Sequence, residues 1–178
     1  MKRIRLAVLL GAAIPACLAA QQGSSSCSAH HAGSHHAGSR QEGVDERGDS
    51  VMGFDHTKTI HHFVLTASGG IIEVSANDKD DVTSRDAIRG HLAHIAKMFA
   101  DGNFDAPMLI HDRVPPGVPE MKRDPKSIRW TYEDTPAGGR IVAVTTNPAE
   151  LAAIHAFLRF QIEDHRTGDS TEVSRPGS

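Results

Sequence analysis

Apolar positions along residues 59–168 recur with two periods, and the period switches in a fixed order. Ile60, Phe63, Val64 and Leu65 make a strand-like run, and Ser68-Gly69-Gly70 follows as a turn. Ile72 and Val74 then alternate with Glu73 and Ser75. Alternation on either side of a Gly-containing turn predicts a β-hairpin. Next, Ile88, Leu92, Ile95 and Phe99 recur at i, i+4, i+7 and i+11, the single stripe of an amphipathic helix. Thr83-Ser84-Arg85-Asp86 fits a capping-box start for it, and Gly102 supplies its end.

The same order then returns. Ile128, Trp130 and Tyr132 alternate with Arg129, Thr131 and Glu133, Pro136-Ala137-Gly138-Gly139 turns the chain, and residues 141–146 run back. Asn147-Pro148-Ala149-Glu150 supplies an N-cap, a proline at the first helical position and a carboxylate two residues later. Leu151, Ile154, Leu158 and Ile162 form the second stripe, and Thr167-Gly168 closes it. The pattern predicts one α+β domain over residues 51–168. Its expected form is a duplicated β-β-α unit, giving a four-stranded, mainly antiparallel sheet with two helices on one face. Residues 103–125 carry Pro107, Pro115, Pro116 and Pro119 and read as a long connection, with residues 108–111 a short extended piece.

The flanks follow different rules. Residues 21–50 are rich in Ser, Gly, His and charge and nearly free of apolar side chains, so they read as a disordered tether. Residues 169–178 read as a polar, disordered tail. At the start, Lys2, Arg3 and Arg5 precede an apolar run over residues 6–16, too short to span a bilayer. Ala16, Ala19 and Ala20 complete the pattern of a signal peptide over residues 1–20. Ile14-Pro15-Ala16-Cys17 is similar to a lipobox, which makes Cys17 a candidate lipid anchor; cleavage after Ala19 or Ala20 is the alternative. The expected location is the bacterial cell envelope, periplasmic or lipid-anchored.

Charge and cysteine narrow the function classes. The 178 residues include 19 Lys and Arg against 22 Asp and Glu; without Lys2, Arg3 and Arg5 this becomes 16 against 22, a net −6. A mildly acidic protein is a poor partner for nucleic acid, and membrane contact is left to Cys17. The only cysteines, Cys17 and Cys27, precede the domain, which therefore has no disulfide and no thiolate zinc site.

The candidate chemistry lies in 12 histidines and 5 methionines. The tether holds His30-His31-Ala-Gly-Ser-His35-His36-Ala-Gly-Ser, a flexible chelator or a plain low-complexity linker. Met52, His56, His61 and His62 precede or enter the first strand. Adjacent strand residues face opposite sides, so His61 shares the Phe63 and Leu65 face and points inward. His91, His94 and Met98 fall together on the flank of the first helix, and Met108 and His111 follow soon after. Thioether plus imidazole favours copper, Cu(I) above all, with zinc as the alternative. The expected metal set is drawn from Met52, His56, His61, His91, His94, Met98, Met108 and His111. The competing reading gives these side chains to the core. His155 reads as a structural imidazole, and His165 as a complement to the helix C-terminus. Calcium loops, H-E-x-x-H, G-x-S-x-G, P-loop and haem-attachment motifs are absent, so an enzyme is the weaker expectation.

MGFD at residues 52–55, TIHHF at 59–63, SRDAIRGHLAHIAKMFADGNFDAPMLIHD at 84–112 and AAIHAFLRFQIEDHRTGD at 152–169 resemble a family of small exported bacterial proteins. The resemblance spans most of residues 51–169 and implies a folded unit, without a mechanism. A carbamoyltransferase activity does not follow, since the chain lacks a Ser-x-Arg-Thr-Arg phosphate-binding motif. Three readings remain: a metal-binding protein for sequestration or delivery, an envelope module binding a protein or small molecule, and a metal-dependent enzyme.

Overall fold

The computed structural model describes residues 34–174, with side chains from residue 42 onward. The expected signal peptide over residues 1–20, the candidate lipid anchor Cys17, Cys27 and the start of the His-rich repeat lie outside the described residues. Nine elements follow one another: α1 (Ser34–Met52), β1 (Thr59–Thr66), β2 (Gly69–Ala76), α2 (Val82–Ala100), α3 (Asp105–His111), α4 (Val118–Met121), β3 (Ile128–Thr135), β4 (Gly138–Thr145) and α5 (Pro148–His165). The strands form one antiparallel sheet in the order β1-β2-β4-β3. Each hairpin contributes its second strand to the centre, where Ile72 faces Ile141 across the β2–β4 seam.

The sheet is amphipathic by alternation. Phe63, Leu65, Val74, Ile141, Ala143 and Ile128 point to one face and are buried there with α2 and α5. From α2 come Ile88, Leu92, Ile95 and Phe99, the predicted stripe. From α5 come Ala153, Ile154, Phe157, Leu158 and Ile162. Each fully buried aliphatic or aromatic side chain contributes about 1.5–3 kcal/mol of transfer free energy. The N-cap of α5 is Asn147, accepting from Ala149 N–H, as the sequence predicts. At α2 the cap is instead Asp81, which accepts from both N–H and Oγ–H of Ser84, so the helix starts earlier than the Thr83 reading.

Three segments depart from their expected state. Residues 34–50, expected within a disordered tether, form most of α1. One face of it is docked: Val44 is 1 % exposed, Val51 and Met52 pack on the core, and Arg47 Nε donates to Ile110 O at 2.8 Å. Residues 105–111, expected as loop and extended chain, form α3. Pro107 is tolerated there because first-turn N–H groups have no intrahelical acceptor to lose. The expected free tail after residue 168 is tied down along β1. Asp169 accepts from Phe63 N–H at 2.9 Å, Arg159 Nε donates to Thr171 O at 3.0 Å, and Ser174 N–H donates to Leu65 O at 2.8 Å. β1 is an edge strand, and this strap occupies its free hydrogen-bonding side. Among the described residues, no helix is long and apolar enough to cross a membrane.

Two contacts set the position of α5 over the sheet. Gly70 lets it approach: a Cβ there would meet Leu158 Cδ1 at 2.1 Å. His155 Nε2–H is shared between Thr66 O at 2.9 Å and Gly69 O at 3.0 Å, which pins mid-helix to the β1–β2 turn. From His155 to His165 the helix advances ~15 Å, and from Thr66 back to His61 the strand spans ~17 Å. The two lengths match, so the end of α5 reaches His61.

Two substitutions check this packing. Leu65→Ala should cost about 2–5 kcal/mol in denaturant unfolding, because the site is fully buried between sheet and helices. Val44→Asp should detach α1, read as faster amide exchange over residues 44–52 with the strand amides still protected.

Candidate functional site

The C-terminal end of α5, the first half of β1, α2 and α3 line a partly open chamber of about 70 Å³. Its floor is apolar, built from Phe63, Leu92, Ile95, Phe99, Ile141 and Phe157. Its polar groups are four imidazoles (His61, His91, His111, His165) and the Gln161 amide, with the Met52 thioether beside them. No carboxylate lines it. A wider, more polar vestibule of about 370 Å³ lies outside, lined by Val44, Asp45, His56, Ile60, Arg166 and Thr167 among others. Met52, His61 and His165 line both spaces and so mark the neck between them.

The imidazoles fall into two kinds. His61, His91 and His165 are half-buried and pack against neighbouring rings without a hydrogen bond. His61 and His165 lie face to face, centroids 5.8 Å apart and planes 5° from parallel. His91 meets the edge of Phe54 at 5.6 Å, and Phe54 also stacks on His61 at 6.2 Å. None of these three rings makes a hydrogen bond among the described residues. Desolvation is then the main influence on each, with nearby imidazoles adding to it. It pushes His61 and His91 down to about 4 and His165 down to about 3. At neutral pH all three are uncharged, with a ring lone pair each.

His111 is held differently. It is buried on both sides, edge-on to His165 at 5.0 Å and to Phe160 at 4.8 Å. Its Nδ1–H donates to Asp164 at 2.6 Å, and Arg113 Nη2 donates to the other oxygen of that carboxylate at 2.9 Å. Arg113 in turn lies 4.4 Å over the Phe160 ring. Desolvation lowers the His111 pKa, opposed by the bonds to Asp164 and Gln161. His111 Nε2 lies 2.9 Å from the Gln161 amide, so both of its nitrogens are occupied.

The other expected metal residues are spread out. His56 sits at the vestibule with Nδ1 2.9 Å from Asp49. His94 is exposed on α2. Met98 and Met108 are half-buried and packed on the core, away from the chamber lining; Met108 borders a surface hollow with Leu109 and Val114. Met52, His61, His91 and His111 are therefore brought together, and His56 borders their entrance. Among the described residues, the three-donor set whose ligand atoms already lie within 4.8 Å of one another is Asp49, Asp55 and His56. These donors already serve the chain: Asp49 accepts from His56 N–H, and Asp55 accepts from Thr57 N–H and Oγ–H.

His165, Gln161 and Asp164 were not among the expected site residues. The stripe on α5 held a signal for two of them. Extending Leu158 and Ile162 by three residues gives Gln161, which is buried, and His165, which is half-buried at the edge of the same face. His62 points outward and pairs with Asp169 at 2.9 Å, in line with the alternation along β1.

Proton titration tests the environment. The His61, His91 and His165 ring resonances should keep their neutral-form shifts from ~pH 8 to ~pH 5 and change only below that. For stability the sign is fixed: these folded-state values lie below the unfolded value of 6.5, so the unfolded chain takes up protons first as pH falls. Stability should therefore be full above 6.5 and decline down to about 3, measured by unfolding midpoints across pH. Ring midpoints between ~6 and ~7 would contradict the burial described. Comparison with protein-family models, curated proteins and solved structures finds no match, so the functional reading rests on this geometry.

Proposed function

We propose that this chain is an exported cell-envelope protein that binds a soft transition metal, Cu(I) foremost, at the neck between chamber and vestibule, for sequestration or delivery. The observation that carries the reading is the donor set at that neck: one thioether, Met52, and two imidazoles, His61 and His165, with His91 alongside. Imidazole and thioether are the neutral, polarizable donors that Cu(I) prefers. Neutral donors and an apolar floor also select on charge. A divalent ion would bring two charges to a neck whose chamber side holds no carboxylate, Asp45 lying on the vestibule side, at a higher desolvation cost. A monovalent ion brings half of that charge. Zinc, the alternative, loses ground on this argument.

The two stacked rings do not yet aim their lone pairs at one point. Sharing an ion requires one ring to turn about its Cβ–Cγ bond, and no ring hydrogen bond has to break for that. His111 is bonded at both nitrogens and serves as the rigid neighbour against which His165 rests. A second reading, a metal-free interaction module, draws on the hollow beside α3, where Leu109 is 62 % and Val114 52 % exposed.

The test is competition with a chromophoric Cu(I) chelator under reducing, oxygen-free conditions. The full chain is used with His30, His31, His35 and His36 replaced by alanine, which removes the His-rich repeat as a competing set of ligands. Met52→Leu, which conserves volume, and His165→Asn should each weaken Cu(I) about tenfold or more, a change of ~1.4 kcal/mol or above. His94→Ala, on the exposed face of α2, should leave the affinity unchanged. Equal affinities across all four chains would sink the proposal.

A further inference from the structure

We infer that the inner chamber is itself a binding site, for a small, neutral, mostly apolar molecule carrying a single hydroxyl. This inference stands independently of the metal. Its first support is an unpaired buried amide. Gln161 is 4 % exposed and lines the chamber, and its Nε2 has no partner. Its Oε1 faces His111 Nε2 at 2.9 Å. Turning the amide over would only exchange the two ends: one would meet His111 and the other would remain without a partner. A buried amide end left unpaired is unfavourable, and such groups in folded proteins normally find a partner. No side chain of the described residues reaches it.

The chamber's size and lining define what could. At about 70 Å³ it exceeds the space one water needs and is smaller than a cavity that encloses benzene. Most of its wall is Phe63, Phe99, Phe157, Leu92, Ile95 and Ile141, which offer dispersion contacts, while Gln161 and the rings of His61, His91 and His165 are the groups able to hydrogen-bond. Water against the apolar part of the wall would leave hydrogen bonds of its own unmade. A molecule of about four heavy atoms, apolar except for one group, matches both parts. A hydroxyl both donates and accepts, so it satisfies the Gln161 amide in either orientation. Charge is excluded by the same walls, because no ion pair is available inside. Entry is through the neck, since Met52, His61 and His165 border both spaces.

Two probes separate the apolar and polar halves of the claim. Xenon reports a dry apolar space, and 2-propanol adds the hydroxyl. Both are titrated into the full, metal-free chain and followed by NMR. Both should shift the resonances of Phe63, Phe99 and Phe157, and the 2-propanol methyls should show direct transfer to those rings and to the Gln161 side chain. In Gln161→Met, xenon binding should persist, which also reports an intact chamber, while 2-propanol should bind at least several-fold more weakly. Should neither probe perturb these rings, the chamber holds water only and the inference is overturned. It is equally overturned if 2-propanol binds the Met variant as well as the parent. Neither result bears on Cu(I) affinity, which the chelator competition measures separately.

Discussion

Three half-buried imidazoles with no hydrogen-bond partner among the described residues stand around one chamber, and partial desolvation there keeps them neutral. The packing of α5 across the first hairpin enforces the arrangement. His155 bonds the helix to the β1–β2 turn, Gly70 allows the close approach, and ten residues later His165 lies over His61. A shift of α5 by one turn would carry His165 past β1 and dissolve the pair. The neutral state of the rings and their lack of hydrogen-bond partners follow from that one placement, and the proposed ion site depends on both.

The surrounding structure resists collapse of the cluster. Behind His165 stands His111, fixed by Asp164, with Arg113 bonded to the same carboxylate and laid over Phe160. In front, Asp169 holds Phe63 N–H and His62 on β1 and accepts from Thr167 Oγ–H, close to the end of α5. The strand bearing His61 and the helix end bearing His165 are thus tied to each other from outside the chamber. α1 completes the enclosure by bringing Met52 to the neck, and its own anchorage runs through Val44 and Arg47.

Much of the sheet and the helices α2 and α5 were legible in the sequence, because alternation, Gly-Gly turns and one-sided stripes are local signals. Ile88, Leu92, Ile95 and Phe99 are buried as their spacing implies, and His61 turns inward with Phe63. α1 was not legible, since its composition is that of a solvated linker and a few tertiary contacts decide its docking. α3 was hidden by Pro107, which is harmless in a first turn. The site was half legible. Met52, His61, His91 and His111 could be named from residue type and position, but their meeting depends on the path of α5. His165, one turn past Ile162, carries in the sequence only the signal of a dipole complement, since the apolar stripe ends at Ile162. His94, Met98 and Met108 shared the right chemistry and a nearby address in the chain, yet the helix faces that carry them turn elsewhere.

The central claim is that thioether and imidazole donors from α1, β1 and α5 share one soft ion. X-ray absorption at the copper edge of the Cu(I)-loaded chain, with the tether histidines replaced, tests it most directly. The account predicts one sulfur and two imidazole nitrogens around the metal, with the sulfur lost in Met52→Leu. A shell of nitrogen and oxygen alone, unchanged by that substitution, would contradict it.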